Sequence, residues 1–219
     1  MKALIIQHEK SVPAGTVLDW LNKNHISYHI HFFSNGKLQN DKNDFDLLFI
    51  CGGEINVDQE DEAPWLIEEK KFIKDAIKEN KKIVGLCLGA QLLAESLGGK
   101  VFKAPEREIG WHEVNILEIN KNIMVFQWHG YQFTPPPGAT KIAENKCCPH
   151  QGFKYKNHII AYQFHPEATE QWIIDCAHDP FLPEKSTYVQ NKKEICQGLH
   201  HQKLMEDWFL KELDSFFKS

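Results

Sequence analysis

Short apolar runs alternate with amphipathic stretches through the first hundred residues of this 219-residue chain. Continuous apolar runs are typical of strands buried on both faces of a parallel sheet, whereas a helix repeats its apolar positions every three or four residues. Strands alternating with helices predict an α/β fold with a mostly parallel central sheet flanked by helices. The expected strands cover residues 3–6, 27–33, 46–51 and 83–86, and the expected helices cover residues 13–24 and 64–80 and a stretch after residue 87 that stops at Gly98-Gly99.

The pattern changes after residue 100, where short strand candidates and turns replace this alternation. Helical character returns after Thr169, is interrupted at residues 179–183 and closes the chain as one helix over residues 195–217. The length fits one α/β domain, so we expect a single domain over residues 1–219 with a helical C-terminal extension over about residues 169–219. The strand candidates are residues 101–102, 114–119, 124–128 and 159–164, and residues 135–138 (PPPG) can only form a loop.

Composition narrows the class of protein. The chain has 25 Lys and Arg against 30 Asp and Glu, a net charge of -5, and no basic cluster that would indicate nucleic-acid binding. The apolar run at residues 3–6 is too short for a signal peptide, and no stretch is long enough to span a membrane. Six unevenly spaced cysteines favour reduced thiols over a disulfide framework, so we expect a cytoplasmic protein with small-molecule or protein partners.

The fourth expected strand ends in the pentapeptide Gly85-Leu86-Cys87-Leu88-Gly89, directly before a helix. Small residues two positions on either side of a nucleophile allow the sharp strand-to-helix turn that exposes its side chain. The N-terminus of the following helix favours a thiolate there. Cys87 is therefore a candidate nucleophile, and the alternative is a buried free cysteine in an ordinary connection.

A second candidate lies at the end of the apolar run 159–164, in the tripeptide His165-Pro166-Glu167. An imidazole can take the proton of a thiol and later protonate a departing amine. A carboxylate two residues further on can orient the ring. Taken alone, the tripeptide is more often a turn than a catalytic pair. Carboxyl ends of parallel strands meet at one edge of a sheet, where we expect His165 to join Cys87 and the Gly52-Gly53 pair.

The stretches GLCLGAQLLAESLGG, QFHPEAT and CGGEINVDQEDEAPWLIEE resemble, in this order and spacing, the class I glutamine amidotransferases. In particular they resemble free-standing proteins similar to the glutaminase domain of GMP synthetase. The resemblance covers most of residues 46–170 and implies a flavodoxin-like fold with a catalytic triad. Its members would be Cys87 as nucleophile, His165 as acid and base, and Glu167 as the residue that orients His165.

The resemblance also implies the residues around the triad. The backbone N–H groups of Gly53 and Leu88 would form the oxyanion hole, where a fixed donor can contribute about 3 kcal/mol to stabilising the developing charge. Gly52 and the amide of Gln91 would contact the substrate, although Gln91 also suits an exposed helix face.

The substrate's amino-acid end would be held by the segment that contains Trp128, Gly130 and Tyr131. Tyr131 departs from the GMP synthetase pattern, which has an acid at this position. A main-chain contact is compatible with that change, but assistance from the side chain is in doubt.

The implied reaction is hydrolysis of the glutamine amide through a thioester, without a metal or organic cofactor. The chain has no G-x-x-x-x-G-K-[ST] loop, so a separate synthetase subunit would use the ammonia. One alternative is a hydrolase or transferase acting on another γ-glutamyl compound, and another is a non-catalytic regulatory module. Glyoxalase and chaperone-like proteins also place a cysteine at such a turn, but His165, Glu167 and Gln91 favour the amidotransferase. The Cys147-Cys148-Pro149-His150 stretch lacks the spacing of a zinc site.

Overall fold

The computed structural model describes residues 1–38 and 44–218, and in these residues nine strands form one sheet. The strands are β1 (Lys2–Ile6), β2 (Ser27–His31), β3 (Leu47–Ile50), β4 (Lys82–Leu86), β5 (Val101–Ile116), β6 (Lys121–Phe133), β7 (Ala139–Glu144), β8 (Gly152–Tyr155) and β9 (Ile159–Tyr162). The α-helices are α1 (Thr16–Lys23), α2 (Trp65–Lys78), α3 (Leu88–Ser96), α4 (Glu170–Ala177), α5 (Lys192–Gln197) and α6 (Gln202–Lys218).

The strand order is β2-β1-β3-β4-β9-β8-β7-β5-β6. The first five strands in this order are parallel, and every pairing from β9 to β6 is antiparallel. The α/β fold is as expected, but the sheet is mixed. Helical crossovers build its parallel half, and short turns join the antiparallel strands. Within the parallel half, β3, β4 and β9 are neighbours, so their carboxyl ends lie side by side.

Helices cover both faces of the sheet. Side chains alternate along β1, with Ala3 and Ile5 in one apolar cluster and Leu4 and Ile6 in the other. The first cluster includes core residues of α1, α4, α5 and α6, and the second includes those of α2 and α3. Burial on both faces explains why β1, β3 and β4 contain continuous apolar runs in the sequence.

The strands of the first ninety residues and β9 lie within one or two residues of their expected bounds, whereas β5 and β6 do not. β5 and β6 pair over almost their whole length and are much longer than the short candidates expected there. β7 and β8 were not predicted. β5 carries exposed polar residues and a register shift between Lys103 and Glu108, so it lacks a continuous apolar signal.

The prediction of a single closing helix over residues 195–217 is wrong. A 3₁₀ turn over Gly198–His201 separates α5 from α6. A Cβ at Gly198 would lie 2.1 Å from Cδ1 of Trp111, and the indole N–H of Trp111 donates to the Ile195 carbonyl at 3.0 Å. Residues on both sides of the end of α5 therefore pack against Trp111. Across residues 1–38 and 44–218, none of the helices has the length and apolarity needed to cross a membrane.

Candidate active site

Cys87 lies at a sharp turn between β4 and α3. Its φ angle is +51°, in the left-handed region that non-glycine residues rarely adopt. The backbone N–H of Cys87 donates to the Tyr162 carbonyl at 2.9 Å, which ties the turn to β9. A Cβ at Gly89 would lie 2.1 Å from the Ile50 carbonyl oxygen, and one at Gly85 would lie 2.7 Å from the carbonyl oxygen of Gly89. Only glycine fits at these two positions, as the pentapeptide predicts.

His165 and Glu167 follow β9 and are both buried. Nδ1 of His165 lies 2.8 Å from Oε1 of Glu167. A carboxylate oxygen accepts, so Nδ1 carries the proton of this bond and Nε2 is left for Cys87. The Trp172 ring packs edge-on against the imidazole with centroids 4.9 Å apart. These contacts fix both the tautomer and the orientation of the ring.

The electrostatic setting of His165 favours its charged form. Burial works against an imidazolium, but attraction to Glu167 and to Cys87, together with hydrogen bonds to both side chains, outweighs it and raises the pKa of His165 to about 10. The group that would accept the thiol proton therefore holds it firmly at neutral pH. The ring beside Cys87 is therefore held as an imidazolium.

The Gly52-Gly53 pair follows β3 and lies against both catalytic candidates. A Cβ at Gly52 would be 2.6 Å from Cε1 of His165 and 3.5 Å from Cβ of Cys87. A Cβ at Gly53 would be 2.7 Å from Cδ2 of Leu88. Leu88 is the first residue of α3, so its N–H lacks an intrahelical partner. The two predicted oxyanion donors thus belong to neighbouring segments beside Cys87.

Gln163 was missed by the sequence analysis. Its side chain is fully buried, with Nε2 3.8 Å from Sγ of Cys87 and Oε1 3.3 Å from Nε2 of Gln91. Gln91 is therefore buried beside Cys87 and does not lie on an exposed helix face. The available signal was a single polar residue inside the apolar run that forms β9 and its continuation.

A cavity of about 1100 Å³ opens above Cys87. Of the predicted site residues, Gly52 and Glu167 lie behind its wall, and the rest line it: Gly53, Cys87, Leu88, Gln91, Trp128, Gly130, Tyr131 and His165. Trp128, Gly130 and Tyr131 belong to β6 on one side of the opening. The hydroxyl of Tyr131 donates to Asp58 at 3.4 Å.

Cys147 and Cys148 make local contacts in the loop before β8. Sγ of Cys148 lies 3.4 Å from the His150 carbonyl, and the carbonyl of Cys147 accepts from Gln132. Among the residues that the structure describes, no group of three or more His, Cys, Asp or Glu side chains is arranged to hold a metal ion.

Comparison with known proteins identifies the family. Residues 16–172 match the family described as glutamine amidotransferase class-I. The chain is 27% identical over 183 residues to the glutamine amidotransferase-like protein YfeJ of Salmonella typhimurium, and the match covers 77% of each chain. It is 34% identical over 131 residues to a subunit of the glutamine-hydrolyzing GMP synthase of Thermoplasma acidophilum, covering 56% of this chain and 63% of that protein.

A solved structure resembles the whole fold. The crystal structure of a glutamine amidotransferase from Methylobacillus flagellatus has a TM-score of 0.91 and 26% sequence identity, and the match covers 99% of this chain and 94% of the other. The sequence match alone covers most of the chain, including the segments that carry Gly53, Cys87 and His165. The chain therefore belongs to the class I glutamine amidotransferase family.

Proposed function

We propose that this protein hydrolyses the side-chain amide of glutamine and releases ammonia through a thioester on Cys87. The observation that carries the proposal is the arrangement of Cys87, at a strained turn on the floor of a cavity, against a His165 ring held by Glu167. Family membership supports the same reaction class. The roles of the individual residues are part of this proposal.

The first half of the reaction forms the thioester. His165 holds the proton of the Cys87 thiol, and the thiolate attacks the amide carbon of the substrate. The negative charge on the amide oxygen is stabilised by the N–H groups of Gly53 and Leu88, each contributing about 3 kcal/mol. When the tetrahedral intermediate collapses, the C–N bond breaks and His165 donates its proton to the leaving nitrogen, which departs as ammonia.

The second half of the reaction frees the enzyme. A water molecule attacks the thioester carbon while His165 accepts one of its protons, and the C–S bond then breaks to give glutamate and the Cys87 thiolate. The sum is glutamine plus water giving glutamate plus ammonia. Glu167 keeps the ring in one tautomer throughout. The side-chain N–H of Gln163 donates a hydrogen bond to Sγ of Cys87.

We propose that a separate synthetase subunit uses the ammonia. The similar protein from Thermoplasma acidophilum is named as one subunit of a GMP synthase, which suggests this division of labour. We further propose that the chain forms a single domain, because one sheet includes strands from both halves of it. We also propose that the protein is cytoplasmic, because all six cysteines are free thiols.

A second candidate function rests on the size of the cavity. At about 1100 Å³ it exceeds the 300–1000 Å³ typical of pockets for drug-sized ligands. Glutamine would fill only part of it. A γ-glutamyl compound with a larger amine would undergo the same thioester chemistry and use more of the space.

The deciding experiment measures glutamate and ammonia released from L-glutamine by wild type, Cys87→Ala and Cys196→Ala. Cys196 lies on α5 outside the cavity and is the matched control. We expect wild type and Cys196→Ala to release glutamate and ammonia in equal amounts. Cys87→Ala should release neither product. Turnover by Cys87→Ala would overturn the proposal.

A second arm of the experiment separates the alternatives. Hydroxylamine would trap the thioester as γ-glutamyl hydroxamate, and γ-glutamyl p-nitroanilide tests for larger leaving groups. Release of nitroaniline without glutamine turnover would favour the second candidate function. Silence of wild type with both substrates would favour a non-catalytic module of this fold.

A further inference from the structure

A buried histidine and glutamate lie behind the Gly52-Gly53 turn. The side chains of His8, just after β1, and Glu69, on α2, are 1% and 0% exposed. Nε2 of His8 lies 3.0 Å from Oε1 of Glu69, and Nδ1 of His8 lies 2.8 Å from the carbonyl oxygen of Gly52. Neither side chain lines the cavity above Cys87. The proposed triad does not use this pair.

The neighbours of the His8 ring fix where its protons are. The carbonyl of Gly52 can only accept a hydrogen bond, so Nδ1 must be the donor. Glu69 occupies the other nitrogen. Burial disfavours the charged ring, but attraction to Glu69 and the hydrogen bonds to Glu69 and Gly52 outweigh it, so the pKa of His8 is raised. His8 therefore donates a charge-assisted hydrogen bond to the peptide that joins Gly52 to Gly53.

That peptide group is also the one that supplies the proposed oxyanion donor. In a trans peptide, the carbonyl of Gly52 and the N–H of Gly53 point in opposite directions, and the described residues contain no cis peptide bond. Holding the carbonyl toward His8 directs the N–H away from His8. Gly53 lines the cavity. A Cβ added at Gly52 would point toward Cys87 and His165.

We propose that His8, oriented by Glu69, is a positioning residue for the oxyanion hole. It fixes the Gly52-Gly53 peptide so that the Gly53 N–H meets the developing negative charge. It also polarises that N–H, because a hydrogen bond to the carbonyl of a peptide strengthens its N–H as a donor. The assignment rests on the proposed amide hydrolysis. His8 touches no substrate and acts only through the Gly52-Gly53 peptide.

The test compares His8→Leu, His8→Asn and Glu69→Gln with wild type. Leucine removes the donor to Gly52, whereas the side-chain amide of asparagine can replace Nδ1 as a neutral donor. We expect His8→Leu to lower kcat about tenfold to a hundredfold, less than or equal to the loss of a direct oxyanion donor, with KM changed less than about twofold. His8→Asn should recover most of kcat, and Glu69→Gln should fall between them.

Alkylation of Cys87 by iodoacetamide separates positioning from a structural role, because this reaction needs the thiolate but develops no oxyanion. We expect its rate in His8→Leu to equal that of wild type. Parallel losses in kcat and alkylation, or an unchanged kcat, would overturn the proposal. If His8→Leu leaves Glu69 unpaired and fails to fold, the double variant His8→Leu/Glu69→Leu removes both charges and is measured in the same way.

An NMR measurement keeps the proposal independent of turnover. In ¹⁵N-labelled wild type without substrate, we expect protons on both nitrogens of the His8 ring or a coupling from Nδ1 to the Gly52 carbonyl carbon. The Gly53 amide proton should move upfield in His8→Leu. An unchanged Gly53 resonance would overturn the positioning role, whereas silence of wild type with both substrates would overturn only the proposed function.

Discussion

At the scale of single residues, the strained backbone of Cys87 is the central feature. A non-glycine residue in the left-handed region costs on the order of 1–3 kcal/mol, so its surroundings must hold it there. The N–H of Cys87 donates to Tyr162, and its carbonyl accepts from Gln91 at 3.1 Å. Both partners belong to elements packed in the core. The sulfur is thus held in place before any substrate arrives.

Gly52 packs directly against the His165 ring, and this contact gives the first prediction. The Cβ of Gly52→Ala would lie 2.6 Å from Cε1 of His165, so the ring must move by about 0.8 Å to reach ordinary contact. A misplacement of about 1 Å can cost a hundredfold in rate, and we expect a loss of that size in kcat/KM for glutamine. Steady-state kinetics on folded protein measures it.

Gly36→Ala is the control for this prediction, since no atom of residues 1–38 or 44–218 lies within 4 Å of its added Cβ. Its positive φ of 111° lowers stability, but kcat per folded molecule should not change. If Gly52→Ala retains wild-type kcat/KM, the His165 ring has room to move without consequence, and the tight placement proposed here is wrong.

The sequence predicts some of these residues and not others for a physical reason. Cys87, His165 and Glu167 were predicted from short motifs, because strained turns and ring-orienting carboxylates need particular residues at fixed spacing. His8 and Gln163 belong to no such motif. Their partners are 61 and 76 residues away in the chain, so only the folded sheet shows what they contact.

At the scale of elements, the long β5–β6 hairpin forms one wall of the site. Glu108 of β5 is fully buried and accepts from Asn145 at 2.6 Å and from Gln151 at 2.7 Å. Nε2 of His129 lies 3.3 Å from the same carboxylate, outside hydrogen-bond geometry, so this contact is electrostatic. One carboxylate thus fastens β6, next to Gly130, to the loop before β8.

This cluster gives the second prediction, on pH. Burial opposes the charge on Glu108, but the interactions with His129 and Asn145 outweigh it and lower its pKa. A carboxyl whose pKa is lower in the folded state stabilises the protein above its ordinary pKa of about 4.3 and loses that contribution as pH falls. The difference in unfolding free energy between wild type and Glu108→Gln should therefore shrink from pH 7 to pH 3.5.

Urea unfolding at several pH values measures this difference. Glu113→Gln is the matched control, since Glu113 is an exposed residue of the same strand. Its difference from wild type should stay within about 0.5 kcal/mol at every pH. A Glu108→Gln difference that is constant with pH would contradict the role given to the carboxylate.

The same hairpin marks the limit of prediction at this scale. β1, β3 and β4 are buried on both faces, so their apolar runs show their positions directly. β5 has exposed and buried residues in no regular order and includes Pro105 near its register shift, so neither a continuous apolar run nor a strict alternation identifies it. Its length is set by pairing with β6, which sequence periodicity does not report.

At the scale of the whole molecule, the C-terminal extension completes both the core and the cavity. The segment after α4 lines one side of the cavity through Asp179 and Phe181. α6 covers the face of the sheet beneath β9, where the hydroxyl of Tyr162 donates to Glu212 at 3.0 Å. The carbonyl of Tyr162 also accepts a hydrogen bond from the N–H of Cys87, so α6 packs against the strand that holds the proposed nucleophile.

The last prediction concerns this packing. Phe209 on α6 is fully buried in the apolar cluster, and Phe209→Ala should lower the free energy of unfolding by about 3–5 kcal/mol through lost burial and a cavity. Leu204, on the same helix but 68% exposed, is the matched control, and Leu204→Ala should change the free energy of unfolding by less than about 0.5 kcal/mol.

If the chain is the single domain proposed, tryptophan fluorescence and circular dichroism should report one coincident urea transition in wild type, Phe209→Ala and Leu204→Ala. A Phe209→Ala protein that loses its α6 signal first, with the rest of the sheet unfolding later, would show that the extension folds as a separate unit.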